Sequence, residues 1–466
     1  MTAVEEGKPK AVVVLDIGKT HLKLFAISPD GGRVIDAMQA ENRPRSGPPY
    51  LHADVEMIFA WAMRALTDFA GRFRIEAIVP SAYGSTAALI DDHDLVLPMM
   101  DYEAEPPDEI KDAYAAAAPA FEEVCCPINP GGLTLARQLF WQSRQFADRF
   151  ERTRWILPAA QYWAWCLTGI AASEVTSLGA QTQLWNPRTN EPSNLAVREG
   201  WSTKFAPLKP AFETLGPLDR NLTDRIGLVK PPPVLVGIHD SNANFTRYRA
   251  AGLERFTLIS SGTWLITFDS SLPLDRLDPD RDMVSNTDLE GRPVACTRFM
   301  GGREYATIAG EDGLRARPTP DDAAKLIASE TMALPSFTDS GGPFPGTGNK
   351  GRVVGPQPEG AAERAALACL YVALMTAADL DLLCAADRVI VDGSFADNRL
   401  FVGILAALRP GQSIEVSRER DGTALGSALL WCWPRESRLD LEPVTAVDID
   451  GFDRYALNWR ERAWRS

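Results

Sequence analysis

One local pattern occurs twice in this chain, far apart, and it constrains the fold more than any other feature. Residues Leu15 to Leu22 and Ile259 to Ile266 each read as strand, polar Gly-containing turn, strand, with Gly18 in the first standing where Gly262 stands in the second. The order of elements around the two turns agrees as well: each half opens as a β-meander and then passes to helices. At 466 residues the chain exceeds the size at which a single hydrophobic core stops growing, so two domains are expected. The prediction is an α/β protein of two related domains, each a mixed sheet flanked by helices, around an interdomain cleft. Lys230-Pro231-Pro232-Pro233 marks the boundary, because three prolines neither continue a helix nor fill a central strand. The domains are therefore placed at 1–233 and 234–466.

Local signals fill in the frame. Ala11 to Leu15 is a continuous apolar run, His21 to Ile27 resumes after the turn Asp16-Ile17-Gly18-Lys19-Thr20, and Asp30-Gly31-Gly32 leads to a third strand at Arg33 to Ala37. Apolar residues at helical spacing predict a helix from Asp54 to Phe69 with Asp54 as N-cap. Strands are predicted at Ile75–Val79, Ala87–Ile90 and Leu95–Leu97, and helices at Leu133–Phe146 and around Ala160–Leu167. In the second half, Gly341-Gly342-Pro343-Phe344-Pro345-Gly346 is a loop either mobile or wrapped on a site edge. A helix at Glu363–Cys384, a strand at Arg388–Val391, a helix at Asn398–Ala407 and a last strand at Ile414–Val416 follow it.

Composition excludes several functions. A formal charge of -14 and a pI near 5.0 leave no basic surface for a nucleic-acid partner. The seven Cys are scattered without a CxxC pair and the four His are spread along the chain, which fits neither a disulfide framework nor a zinc site; reduced thiols and a cytoplasmic address are expected. The apolar run after Lys10 is cut by Asp16, too early for a signal-peptide core or a span, and Ala365 to Ala378 reads as a buried core helix, so no membrane is expected.

The polar residues gather at strand ends, where ligands bind in α/β sheets. Asp16 precedes Gly18, whose missing Cβ permits positive φ and close approach to a phosphate; Lys19 adds a cation, and the alternative is a plain hairpin turn with a solvated lysine. Ser260-Ser261-Gly262-Thr263 offers hydroxyls and backbone donors to phosphates, although Ser and Thr suit any turn. Asp240 follows the apolar strand ending in Gly237-Ile238-His239 and is either a base or the N-cap of a helix starting at Asn242. Asp392-Gly393-Ser394 with Asn398 is a strand-to-helix junction of the kind that favours anionic groups, or an ordinary loop. Gly422 to Ser427 is either a packed small-residue helix or a surface for a planar base.

In this order the motifs resemble the FGGY family of carbohydrate kinases, within the actin, sugar kinase and Hsp70 superfamily of ribonuclease H-like domains, over essentially the whole length. DIGKT at 16–20 and SSGTW at 260–264 stand where that family's DxGTT-like and SxGT turns hold phosphates. HDSNAN at 239–244 looks like the HDTASA of the rhamnulokinase branch, and YGSTAALID at 83–91, LPMMDYE at 97–103, YWAWCLTG at 162–169 and TALGSALL at 423–430 fit the family pattern. The resemblance implies a general base at Asp240 and Mg²⁺ at Asp16 and Asp240. It implies ATP contacts at Gly18, Lys19, Thr20, Ser261, Gly262, Thr263, Gly393, Ser394, Asn398 and Gly426. Sugar contacts are implied at Tyr83, Gly84, Asp101, Tyr102, His239 and Asp240. Two positions depart from the pattern: Lys19 replaces a small hydroxyl residue, and Asp392 replaces a Gly of the adenine turn.

The expected activity is ATP- and Mg²⁺-dependent phosphorylation of a ketose such as L-rhamnulose or L-fuculose by a monomer or homodimer. The alternatives are a kinase for xylulose, ribulose or a glycerol-like polyol, a non-catalytic sugar- or nucleotide-binding regulator, and a hydrolase using Asp16 and Asp240 as an acid/base pair.

Overall fold

The computed structural model describes residues 7–435 and 438–465, and its contacts divide the chain into two units. Unit 1 comprises Met1–Gly252, Ser285–Pro293 and Asp421–Arg438; unit 2 comprises Leu253–Val284, Val294–Arg420 and Leu439–Ser466. The proline run expected at the boundary lies inside unit 1, where Pro233 opens a short strand. Each unit is assembled from segments distant in sequence, which no local composition signal reveals.

Unit 1 contains β1 (Lys10–Ile17), β2 (His21–Ile27), β3 (Val34–Glu41), β4 (Arg74–Ala82), β5 (Thr214–Pro217), β6 (Pro233–Leu235) and β7 (Ile238–His239). They form one sheet in the order β3-β2-β1-β4-β6-β5, with β7 also paired to β4. The β1–β2 and β2–β3 pairs are antiparallel, the β1–β4 and β4–β6 pairs parallel. The apolar run predicted as a strand covered on both faces behaves so. Ala11, Val13 and Leu15 pack with Ile58, Leu66 and Phe69 of helix α1 (Val55–Arg72), whereas Val12 and Val14 pack with Ala243, Leu425 and Ala428 on the other face.

Asp54 caps α1 by accepting from the Met57 N–H. Helices α2 (Leu135–Gln145), α3 (Ala159–Thr168) and α4 (Asp240–Ala250) complete the main elements, together with the helix Gly422–Leu429. The predicted strand Leu95–Leu97 does not form: Leu95 makes one isolated bridge to Ile90, and the edge of Ala87–Ile90 is taken by Trp155–Pro158.

Unit 2 repeats the plan. Its main strands are β8 (Thr257–Ser261), β9 (Leu265–Asp269), β10 (Pro293–Phe299), β11 (Arg388–Gly393), β12 (Ser413–Ser417) and β13 (Leu441–Pro443), which run in the order β10-β9-β8-β11-β12-β13. Here too the first three are antiparallel neighbours, and β8–β11 and β11–β12 are parallel. The predicted last strand, at Ile414–Val416, is therefore followed by another, β13, a three-residue edge too short to read from sequence.

Its helices are α5 (Gly301–Gly313, broken at Gly310, φ +67°), α6 (Ala361–Leu382) and α7 (Arg399–Leu408). Among the described residues α6 alone is long and apolar enough to cross a membrane; every residue from Ala365 to Ala377 is buried, which makes it the core helix predicted. The Gly/Pro loop is pinned rather than loose. Phe344 is 2% exposed, with its ring 5.4 Å from that of Trp459.

Candidate active site

In unit 1, β1 ends at Asp16 and Ile17 and the chain turns back through Gly18 to Thr20. The Gly18 N–H closes the turn on the His21 carbonyl (2.9 Å), and Asn42 Nδ2 holds the Gly18 carbonyl (2.8 Å). Gly18 does not adopt the positive φ allowed for it. Its need is steric, because a Cβ there would lie 2.8 Å from the His21 oxygen. Thr20 is exposed, with its hydroxyl 3.0 Å from His21 Nδ1.

Asp240 is the first residue of α4, not its cap; His239 occupies the N-cap position without a side-chain cap bond. The Asp240 Oδ1 accepts from the Ser241 N–H (2.6 Å) and Ser241 hydroxyl (3.2 Å) and lies 3.3 Å from His239 Nε2. No hydrogen bond engages Oδ2 among the described residues. Burial first, and the Asp240 carboxylate second, push the Asp16 carboxyl up to about 7, with Lys23 opposing and Asp421 adding to the rise. Asp421 is a residue the sequence reading missed. It stands before Gly422 with no cap bond of its own.

Two repelling carboxylates suit a hard divalent cation, which relieves that repulsion. Among the described residues no group of three or more His, Cys, Asp or Glu gathers closely enough to hold a metal. A Mg²⁺ at Asp16 and Asp240 would complete its shell with water and phosphate oxygens, as this ion ordinarily does.

The predicted sugar residues converge in the same unit. The rings of Tyr83 and Tyr102 meet edge to face at 5.8 Å, and Gly84 backs onto His239, where a Cβ would come within 2.7 Å of Nε2. Lys19, placed with the phosphates by the sequence, turns instead to this group. Its ammonium pairs with both oxygens of the buried Asp101, reaches Glu103 at 3.3 Å and lies 4.8 Å from the Tyr102 ring centre.

In unit 2, the Gly262 N–H closes its turn on the Trp264 carbonyl (2.8 Å), as Gly18 does in unit 1. The hydroxyl of Ser261 donates to the Asp392 carbonyl (2.5 Å) and accepts from the Phe395 N–H (3.0 Å), tying the ends of β8 and β11 together. Gly393 is required there: its φ is +89°, and a Cβ would lie 2.0 Å from the Ser261 carbonyl. The Ser394 hydroxyl reaches the same carbonyl (3.4 Å), and Asn398 caps α7 through the Phe401 N–H (3.1 Å).

Gly262, Thr263, Ser394 and Asn398 line an open pocket of about 820 Å³. Gly302, Arg303, Tyr305 and Arg317 line it too and were not foreseen. The signal was present as Gly301-Gly302 before a helix; a Cβ on Gly302 would lie 2.2 Å from the Gly262 carbonyl. Gly426 belongs to unit 1, and its Cβ position falls 1.8 Å from the Ala243 carbonyl. Gly422 to Ser427 form a packed small-residue helix, with Gly426 fitted closely against Ala243.

Comparison with known proteins follows this geometry. Residues 253–439 match the carbohydrate kinase FGGY, C-terminal domain. A carbohydrate kinase from Novosphingobium aromaticivorans is similar along 98% of this chain and 99% of its own, with 31% identity and a TM-score of 0.89. A ligand-bound xylulose kinase from Lactobacillus acidophilus (13% identity, 97% and 96% coverage, TM-score 0.78) shares the fold. So does Plasmodium falciparum glycerol kinase with ADP (12% identity, 98% of each chain, TM-score 0.77). No curated protein matches.

Proposed function

The chain belongs to the FGGY carbohydrate kinase family, and we propose that it transfers the γ-phosphoryl group of ATP to a hydroxyl of a ketose, L-rhamnulose or L-fuculose, with Asp240 as general base. The carrying observation is the state of Asp240: one oxygen is fixed by Ser241 while the other is unengaged at the start of α4. The choice of sugar rests on the HDSNAN and SSGTW segments. Sugar recognition falls to Tyr83, Gly84, Tyr102 and His239 in unit 1, with Lys19 paired to Asp101 beside them. Nucleotide recognition falls to the unit 2 pocket.

Phosphoryl transfer asks a protein chiefly for positioning and charge stabilisation. Asp240 Oδ2 takes the acceptor proton as the new O–P bond forms. Mg²⁺, when held by Asp16 and Asp240, supplies neutralising charge to the phosphates. The N–H groups of Gly18 and Gly262 close their own turns, so the donors each turn offers are those of the residues after it, with the hydroxyl of Thr20 in unit 1 and that of Thr263 in unit 2.

The test is Asp240→Asn in an ADP-release assay over a panel of ketoses, aldoses and polyols that includes xylulose, ribulose, glycerol and gluconate. Loss of kcat by about 10²–10⁴ with ADP affinity retained is expected. Turnover within about threefold of the parent removes Asp240 from the base role, and ADP release with xylulose or glycerol but no deoxyketose replaces the substrate.

A further inference from the structure

Asn242 stands where the resembling motif has Ala, and nothing above assigns it a task. It is 3% exposed, and its Nδ2 donates to the Thr287 carbonyl. A carbonyl only accepts, so this bond fixes the amide orientation and turns Oδ1 to His239 Nδ1, 2.6 Å away. The amide oxygen likewise only accepts, so Nδ1 carries the ring hydrogen. In the neutral ring Nε2 is then a bare acceptor, 3.3 Å from Asp240 Oδ1. The His239 main chain is held from behind, its N–H on the Thr176 hydroxyl (3.3 Å), which donates to buried Glu174 (2.6 Å).

Oδ1 is already matched by Ser241, so the acceptors left open on these neighbouring residues are Nε2 and Asp240 Oδ2. The oxygens of a gauche vicinal diol sit on adjacent carbons and can present one hydrogen to each. We propose that Asn242 is a positioning residue that locks His239 in its Nδ1–H form, so that Nε2 and Asp240 together receive two hydroxyls on adjacent carbons of the acceptor, one of them the hydroxyl phosphorylated. This rests on the kinase reading and narrows its substrate class. A ketose reacting at the CH₂OH beside its carbonyl binds as the cyclic hemiketal, whose neighbouring carbon bears a hydroxyl; an open ketone there sets an acceptor against an acceptor.

Nitrogen-15 spectra of the imidazoles test the lock without any substrate. The chain has four His, and His239→Gln identifies the resonances of interest. At pH 8 the intact protein is expected to show a protonated Nδ1 and a bare Nε2, and Asn242→Ala a mixture of tautomers. A protonated Nε2 in the parent, or an Asn242→Ala spectrum unchanged from it, overturns the lock. With the panel acceptor of highest kcat/KM, Asn242→Ala should raise KM about tenfold or more, the scale of one unmatched buried polar group, with kcat within about threefold. A fall in kcat at constant KM overturns the diol assignment. A panel with no ADP release overturns the kinase reading and the diol with it, while the spectra still decide the tautomer.

Discussion

Asp379 offers a test of the unit 2 core by protonation alone. Its side chain is fully buried in α6, and neither carboxyl oxygen has a hydrogen-bond partner among the described residues. Nearby on the sheet, Thr267 and Thr297 face each other across β9 and β10, and their hydroxyls are also unmatched. Burial first, and repulsion from Asp282 second, hold the Asp379 carboxyl well above the usual range, with the Thr297 hydroxyl, near but without good hydrogen-bond geometry, opposing the rise. The folded protein therefore keeps this proton at pH values where the unfolded chain releases it. The unfolded state binds fewer protons, so stability falls as pH rises, by about 1.4 kcal/mol per pH unit, from the unfolded carboxyl's pKa near ~4 until the folded group ionises. Asp379→Asn removes this term while keeping the shape. Its stability relative to the parent should grow by about 1 kcal/mol between pH 4 and pH 5, and by about 1.4 kcal/mol more at pH 6. Amide exchange in peptides spanning 365–383 measures opening of this helix alone, and comparing the two proteins at each pH cancels the intrinsic exchange rate. A difference that stays flat with pH, or that increasingly favours the parent, means the carboxylate is ionised and matched in the fold, and the reasoning fails.

Further outcomes follow from the space and partners around individual residues. Gly426→Ala drives a methyl into the Ala243 carbonyl 1.8 Å away and should destabilise unit 1 by roughly 1–3 kcal/mol. Gly71→Ala in α1, with nothing within 4 Å, should be neutral or stabilising by up to about 1 kcal/mol; thermal unfolding separates them. Gly302→Ala meets the Gly262 carbonyl at 2.2 Å, whereas Gly262→Ala meets nothing nearer than 4.0 Å. The first should lower both ADP affinity and Tm, the second ADP affinity alone, by calorimetry and thermal shift. Lys19→Met leaves the Asp101 carboxylate, 3% exposed, without its cation and should cost roughly 3 kcal/mol, read as a lower Tm.

Legibility followed the range of the interaction. The first meander, the Asp54 cap and the helix starting at Asn398 depend on neighbours within a few residues and were readable. Lys19 was misplaced because its partner Asp101 lies 82 residues away, and a lysine after a glycine turn looks the same whether it faces phosphate or carboxylate. The function of Gly426 depends on Ala243 of another helix, and that of Asn242 on the Thr287 carbonyl. Asp240 failed as a cap for a local reason: its carboxylate turns to the Ser241 N–H next to it, not to donors further into the helix.

The repeat itself explains why two similar turns carry different chemistry. In unit 1 Asp16 on β1 stands in register with Ser81 on the parallel strand β4; in unit 2 Ser260 on β8 stands in register with Asp392 on the parallel strand β11. The acid and the hydroxyl have changed places on one backbone plan. Burial and the neighbouring Asp240 carboxylate both raise the cost of ionising Asp16, and a cation there is favoured. Asp392 turns Oδ1 onto the Gly393 N–H (2.7 Å), and its carbonyl takes the Ser261 hydroxyl. The acid that departs from the family's Gly-rich turn thus closes the end of β11. The first turn of unit 2 is left with Ser260, Ser261, Gly262 and Thr263 and no carboxylate of its own, and in the pocket it lines Arg303, Arg317 and Arg399 outnumber Asp397, a balance that favours an anion. A single strand order therefore yields one turn suited to a cation and one suited to an anion, and the difference lies in which of two paired strands bears the carboxylate.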